Sequence, residues 1–157
     1  MGTNYYLSIP IDKENVKKQT NILIDEEKLD ELCDYIDNVK TNHYIHLGLC
    51  SYGWKFLFNA NKEKYYPLTR QGIIDYITAR NAIIKDEYNR DISLKDFWDM
   101  IDKHQNGHDM ETYANEKNEY YAHSFDYYNK DYAKYKPNQF GEFISDGLRF
   151  ATYTDFC

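Results

Sequence analysis

Residues 43–60, His43-Tyr-Ile-His-Leu-Gly-Leu-Cys-Ser-Tyr-Gly-Trp-Lys-Phe-Leu-Phe-Asn-Ala60, hold two alternating runs of apolar and aromatic residues around a Ser51-Tyr52-Gly53 break. A period of two puts every second side chain on one face of a strand, and Gly supplies the positive φ of a tight turn. The stretch therefore predicts a β-hairpin with one buried face. Residues 3–9 predict an opening strand that Pro10 ends, and the short apolar run Asn21–Ile24 predicts a second. Gln139–Ile144 and Leu148–Tyr153 carry weaker strand patterns.

Spacings of three and four mark the helices. Over residues 25–37, Leu29, Leu32, Cys33 and Ile36 form one apolar stripe, and Asp25, Glu26 and Glu27 stand where carboxylates meet the positive end of a helix dipole. Thr69 can cap a helix running to about Arg80, with Ile73, Tyr76 and Ile77 facing inward. Ala82–Ile84 and Asp91-Ile92 read as a small hairpin in which Asn89 tolerates the left-handed position. Ser93-Leu-Lys-Asp96 resembles a capping box, and the helix it opens puts Leu94, Phe97, Trp98 and Ile101 on one face before Gly107 breaks the chain. Together these elements predict a single α+β domain over residues 1–157. A mostly antiparallel sheet is centred on the 43–60 hairpin, with about three packed helices near 25–37, 69–80 and 93–103. Within it, residues 109–138 form a Tyr-rich segment of poor periodicity, expected to be irregular or partly helical and the most mobile part of the chain.

The chain has 157 residues, 42% hydrophobic and 29% charged, which suits one globular domain with a useful core. No apolar run approaches the roughly 18 residues that a membrane span requires, and no secretory signal is visible. A Met-Gly start invites N-myristoylation, but Tyr6 stands where Ser or Thr is needed. Cys33, Cys50 and Cys157 are odd in number and unpaired in spacing, so they predict reduced thiols, with Cys33 and Cys50 as small core residues. Net charge is −7 and the isoelectric point near 5.2, which disfavours direct contact with nucleic-acid phosphates. A basic protein partner suits such a surface, but charge alone is explained more readily by ordinary solubility. Seven carboxylates against Lys28 fall in residues 25–37. The 17 tyrosines fit either a binding surface or the codon bias of an AT-rich genome.

Candidate chemistry is sparse. His104 and His108 have the spacing of a shared helix face, but Gly107 interrupts it and no Glu follows His104. His43 and His46 fall on opposite faces of a strand. Asp86, Glu87, Asp91 and Asp96 could converge on a divalent ion, and turn and cap roles explain them as well. There is no phosphate loop, nucleophile elbow or Cys-His signature. The expectation is no catalytic residue, no metal and no cofactor.

Met1-Gly-Thr-Asn-Tyr-Tyr-Leu7 and His46-Leu-Gly-Leu-Cys-Ser-Tyr-Gly-Trp-Lys-Phe56 resemble a family of small uncharacterised bacteriophage proteins. That family opens in the same way and carries His-Ile-Gly-Lys-Ser-Ser-x-Gly-Trp-x-Phe at its centre. Ile84–Leu94 is similar to its Asp-Glu-Tyr-Gly-Arg-x-Ile-Ser turn, and Asp155-Phe156-Cys157 to its aromatic tail. The chain departs from the pattern at Leu49, where the family has Lys, and at Cys50, where it has Ser. It also lacks the Cys-x-x-Cys that the family often carries before the hairpin, so neither a metal nor chemistry at that Lys is carried over. The resemblance implies a phage origin and expression in a bacterial host cytoplasm, with no known reaction.

The resulting expectation is an accessory phage protein that binds and inhibits a host protein. The target would be an antiviral-defence component such as a CRISPR nuclease, reached without direct nucleic-acid or membrane contact. Asp30, Glu31, Asp34 and Asp37 would meet a basic groove while Tyr120, Tyr121, Tyr127 and Tyr128 anchor the contact. The alternative is a small-ligand or nucleotide-binding protein that sequesters or modifies a signal, using a Tyr-lined pocket with Arg70, Arg80, Arg90 or Arg149.

Overall fold

The computed structural model describes residues 2–60, 67–110, 112 and 141–151. The opening strand forms as β1 (Gly2–Ser8), and two helices follow it, α1 (Lys13–Asp25) and α2 (Leu29–His43). Next come β2 (Tyr44–Ser51), β3 (Leu57–Asn59), α3 (Arg70–Ala79), β4 (Ile83–Asp86), β5 (Asp91–Ile92), α4 (Leu94–Lys103), β6 (Glu142–Ser145) and β7 (Leu148–Ala151). The strands make one seven-stranded sheet in the order β5-β4-β1-β2-β3-β7-β6. Every neighbouring pair is antiparallel except β3 with β7, which is parallel. The class is α+β, as the patterning predicts, with four helices among the described residues.

Alternation decides which face of the sheet is dry. Leu7 of β1, Ile45 and Leu47 of β2, Phe58 of β3, Ile84 of β4 and Phe150 of β7 point to one side. Ile73 and Ile77 of α3 cover that side with Phe97, Trp98 and Ile101 of α4. Rings interlock there: Phe58 lies 4.6 Å from Phe56, 6.3 Å from Phe97 and 5.3 Å from Phe150, centroid to centroid. Fully burying such a side chain contributes about 1.5–3 kcal/mol, so the stability of the domain resides in this layer. Both covering helices begin at the caps the sequence announces. The Thr69 hydroxyl accepts from the Gly72 N–H at 3.0 Å, and the Ser93 hydroxyl accepts from the Asp96 N–H at 3.1 Å. Gly53, at φ +79°, makes the turn after β2.

Residues 13–43 depart from expectation. Asn21–Ile24 is not a strand; it lies in α1, which Asp12 caps by accepting from the Asn15 N–H at 3.0 Å. The helix expected over 25–37 starts instead at Leu29 and continues to His43. Asp25–Glu27 therefore close α1 rather than open α2, and Asp30 and Glu31 take the first-turn positions. The boundary is a Schellman turn: the Lys28 N–H donates to the Leu23 carbonyl at 2.9 Å, the Glu27 N–H donates to Ile24 at 3.0 Å, and Glu27 sits at φ 55°.

Neither α1 nor α2 contains a buried residue. The half-buried row of α2 is Leu32, Tyr35, Val39 and His43, facing a row of Val16, Gln19, Thr20 and Leu23 on α1. Of the expected stripe, Leu32 alone lies in that row; Leu29, Cys33 and Ile36 are rotated out of it, and Cys33 is exposed rather than a core residue. The pair forms a helical hairpin inserted between two adjacent strands, β1 and β2.

Candidate functional site

The outer surface of α2 carries the acids. With 100° per residue, Asp30, Asp34 and Asp37 fall within about 60° of one another, opposite the row that faces α1. All three are exposed and make no ion pair among the described residues. Glu31 stands to one side, 4.0 Å from Lys28, which is held mainly by Glu26 at 2.9 Å. The hydrogen bond and the charge of Glu26 push the Lys28 ammonium pKa up. Between the acidic row and the α1 contact lie Leu29, 63% exposed, and Ile36, 41% exposed, with Cys33 between them. Patterning missed this row by assigning it to the core, because Tyr35 and His43, which do face inward, score as polar. Tyr120, Tyr121, Tyr127 and Tyr128 lie outside the described residues, as does the 109–138 segment apart from Asp109, Met110 and Thr112.

The sheet face away from α3 and α4 offers a second surface. Register places Asn4, Tyr6 and Ser8 of β1 beside Leu49, His46 and Tyr44 of β2. Tyr6 stacks between Tyr44 and His46, at 4.8 and 4.9 Å, so both its faces are used by its neighbours. His46 Nε2–H donates to Asn4 Oδ1 at 3.0 Å. Burial lowers the imidazole pKa, with a hydrogen bond at Gly48 opposing, and keeps the ring neutral near pH 7.

Further along this face, a cavity of about 170 Å³ is lined by Leu49, Ser51, Trp54, Lys55, Leu57, Met110 and Arg149. Its mouth is built by the chain after α4. The His108 N–H donates to the Gly53 carbonyl at 2.8 Å, and the Lys55 N–H donates to the His108 carbonyl at 2.9 Å. Gly107 permits this approach, since a Cβ there would lie 2.5 Å from the Trp54 carbonyl carbon. His104 and His108 are thereby spent on Trp54: Nδ1 of His104 is 3.1 Å from its carbonyl, and the His108 ring meets the indole edge-on at 5.8 Å.

The cations around the cavity already have carboxylate partners. Arg149 forms a two-point pair with Glu142, Nε to Oε2 being 3.0 Å, with both side chains almost fully buried. Its guanidinium lies 5.3 Å from the Trp54 ring. Lys55 Nζ is 3.0 Å from Asp109 Oδ2. Burial would raise the Asp109 carboxyl pKa, but hydrogen bonds from Thr112 and Lys55 outweigh it and hold it below the usual aspartate range.

The other expected arginines are dispersed. Arg70 meets Asp102 through two bonds of 2.8 and 2.9 Å and covers Trp98; Arg80 covers Tyr76; Arg90 pairs with Asp86 at 2.6 Å. Asp86 also accepts from the Tyr88 and Arg90 N–H groups, so it organises a turn rather than joining Glu87, Asp91 and Asp96 in a site. Among the described residues, no three His, Cys, Asp or Glu side chains are grouped to hold a metal. No described helix is long and apolar enough to cross a membrane. In comparisons with family models, curated proteins and solved structures, nothing matches this chain.

Proposed function

We propose that this chain is an accessory phage protein that binds and inhibits a basic, nucleic-acid-binding host protein, an antiviral-defence nuclease of the CRISPR type being the expected target. The observation that carries the reading is the α1–α2 hairpin. It leaves the sheet between adjacent strands, buries no side chain, and turns Asp30, Asp34 and Asp37 outward without ion-pair partners among the described residues. A helical hairpin that adds nothing to the core is retained for what it touches, and carboxylates spaced along it suit a groove that otherwise holds phosphates. The phage origin and the host-cell cytoplasm come from the sequence resemblance.

Nucleotide or signal binding has less support. A cavity of about 170 Å³ is smaller than the roughly 300–1,000 Å³ of drug-sized sites, and Arg149 and Lys55 are neutralised by Glu142 and Asp109.

The test is binding to a purified nucleic-acid-free defence nuclease as ionic strength rises. Screening shortens from about 10 Å at 0.1 M salt to about 3 Å at 1 M, so affinity should fall steeply. Asp30→Asn, Asp34→Asn and Asp37→Asn together should weaken binding at low salt by about tenfold or more. An affinity indifferent to salt and to these substitutions would overturn the proposal.

A further inference from the structure

We infer that the hairpin's contact is amphipathic: Leu29 and Ile36 of α2 seat in an apolar cleft on the partner while Asp30, Asp34 and Asp37 meet cations along its edge. This rests on the reading above that the partner is a basic protein, and it adds what the binding surface must contain.

Helical geometry places Leu29, Cys33 and Ile36 within a strip about 60° wide, centred about 100° around the axis from the acidic row. The two rows run side by side along the same exposed flank. Leu29 and Ile36 are both exposed, while the half-buried residues of α2 are the separate row of Leu32, Tyr35, Val39 and His43. The fold therefore leaves a large part of two apolar side chains of α2 in contact with water.

Charge decides the occupant. A second copy laid on this flank would set carboxylate row near carboxylate row in a protein of net charge −7. Nucleic acid and anionic lipid would be repelled for the same reason. A protein surface with an apolar strip flanked by Lys or Arg satisfies both rows at once. The acids then govern approach, and the apolar pair governs how long the complex lasts.

The probe is a helical peptide of Leu and Lys with one apolar face, set against a scramble of the same composition and an oligolysine of equal charge. Fluorescence anisotropy and stopped-flow should show the amphipathic peptide binding most tightly and keeping measurable affinity at high salt. Leu29→Ala with Ile36→Ala should weaken it about tenfold or more, through faster dissociation. Alanine favours helix and neither side chain is fully buried, so circular dichroism should stay unchanged and Tm should shift by only a few degrees. Bound peptide should also protect Cys33 from N-ethylmaleimide, read by peptide mass spectrometry.

Equal affinity for oligolysine, indifference to the alanine pair, unprotected Cys33, or concentration-dependent self-association through this flank would each overturn the inference. Salt-dependent binding of the nuclease that ignores Leu29 and Ile36 would sink this inference and leave the proposed function standing. Loss of salt-dependent binding to the nuclease and to every basic probe would sink both.

Discussion

Replacing Arg149 by Met is the sharpest single perturbation of the sheet's outer face. The substitution keeps the volume of the side-chain stem but leaves Glu142, 3% exposed, without the guanidinium that grips it at two points. Breaking a buried pair from one side costs about 3–5 kcal/mol, because an uncompensated charge stays out of water. Glu142→Leu strands the guanidinium of Arg149 and should cost a similar amount. Leu at 142 with Met at 149 removes both charges at once. Among the contacts then lost are the hydrogen bonds to the Lys55 carbonyl at 3.2 Å and from the Met110 N–H at 3.3 Å.

Leaving one such group unsatisfied costs about 1–3 kcal/mol, against about 3–5 kcal/mol for a stranded buried charge. Each single variant already loses one of the two bonds, so the double variant should be more stable than either single one. The cycle should give a coupling of at least about 3 kcal/mol. Urea unfolding with fluorescence and circular dichroism measures it. With m near 2 kcal/mol per M, each single variant should lower the midpoint by about 2 M. Salt should change these differences little, since the pair is buried. Single variants each costing under about 1 kcal/mol, or a double variant equal to their sum, would refute the claim that this pair is desolvated and mutually dependent.

Two further outcomes follow from local geometry. Glu27→Gly should stabilise the domain by about 0.5–1 kcal/mol, because Glu27 closes the Schellman turn at φ 55°, where a Cβ is disfavoured; an unchanged or lower Tm would contradict this. Burial would raise the Asp86 carboxyl pKa, but the backbone and side-chain hydrogen bonds of Arg90, then that of Tyr88, outweigh it and hold it below the usual aspartate range. The ionised form is thus favoured in the folded state. The stability it contributes is complete above the ordinary aspartate pKa and is lost as pH falls through the lowered one. Asp86→Asn should flatten that acid limb of the stability curve, and urea midpoints as steep in pH as the wild type's would count against it.

Much of the architecture is written locally. The opening strand, the 43–60 hairpin, the turn at Asn89 and the caps at Thr69 and Ser93 depend on hydrogen bonds or alternations a few residues long. They could be read without knowing the rest of the chain. The same holds for Phe97, Trp98 and Ile101, whose spacing admits one buried face. The outward placement of Asp30, Glu31, Asp34 and Asp37 was legible too, since exposing a carboxylate needs no partner. The inward face of α2 was not. Leu29 and Ile36 are as apolar as Leu32 and Val39, and only the position of α1 selects between the rows. Nor does Ile22-Leu23-Ile24 favour period two over period three and a half; the Asp12 cap and helix propagation settle it. The parallel pairing of Leu57 with Arg149 and the burial of Glu142 against that arginine are harder still to read. The first joins segments far apart in the chain; the second joins residues seven apart, but both depend on excluding water between surfaces that exist only once the sheet has closed.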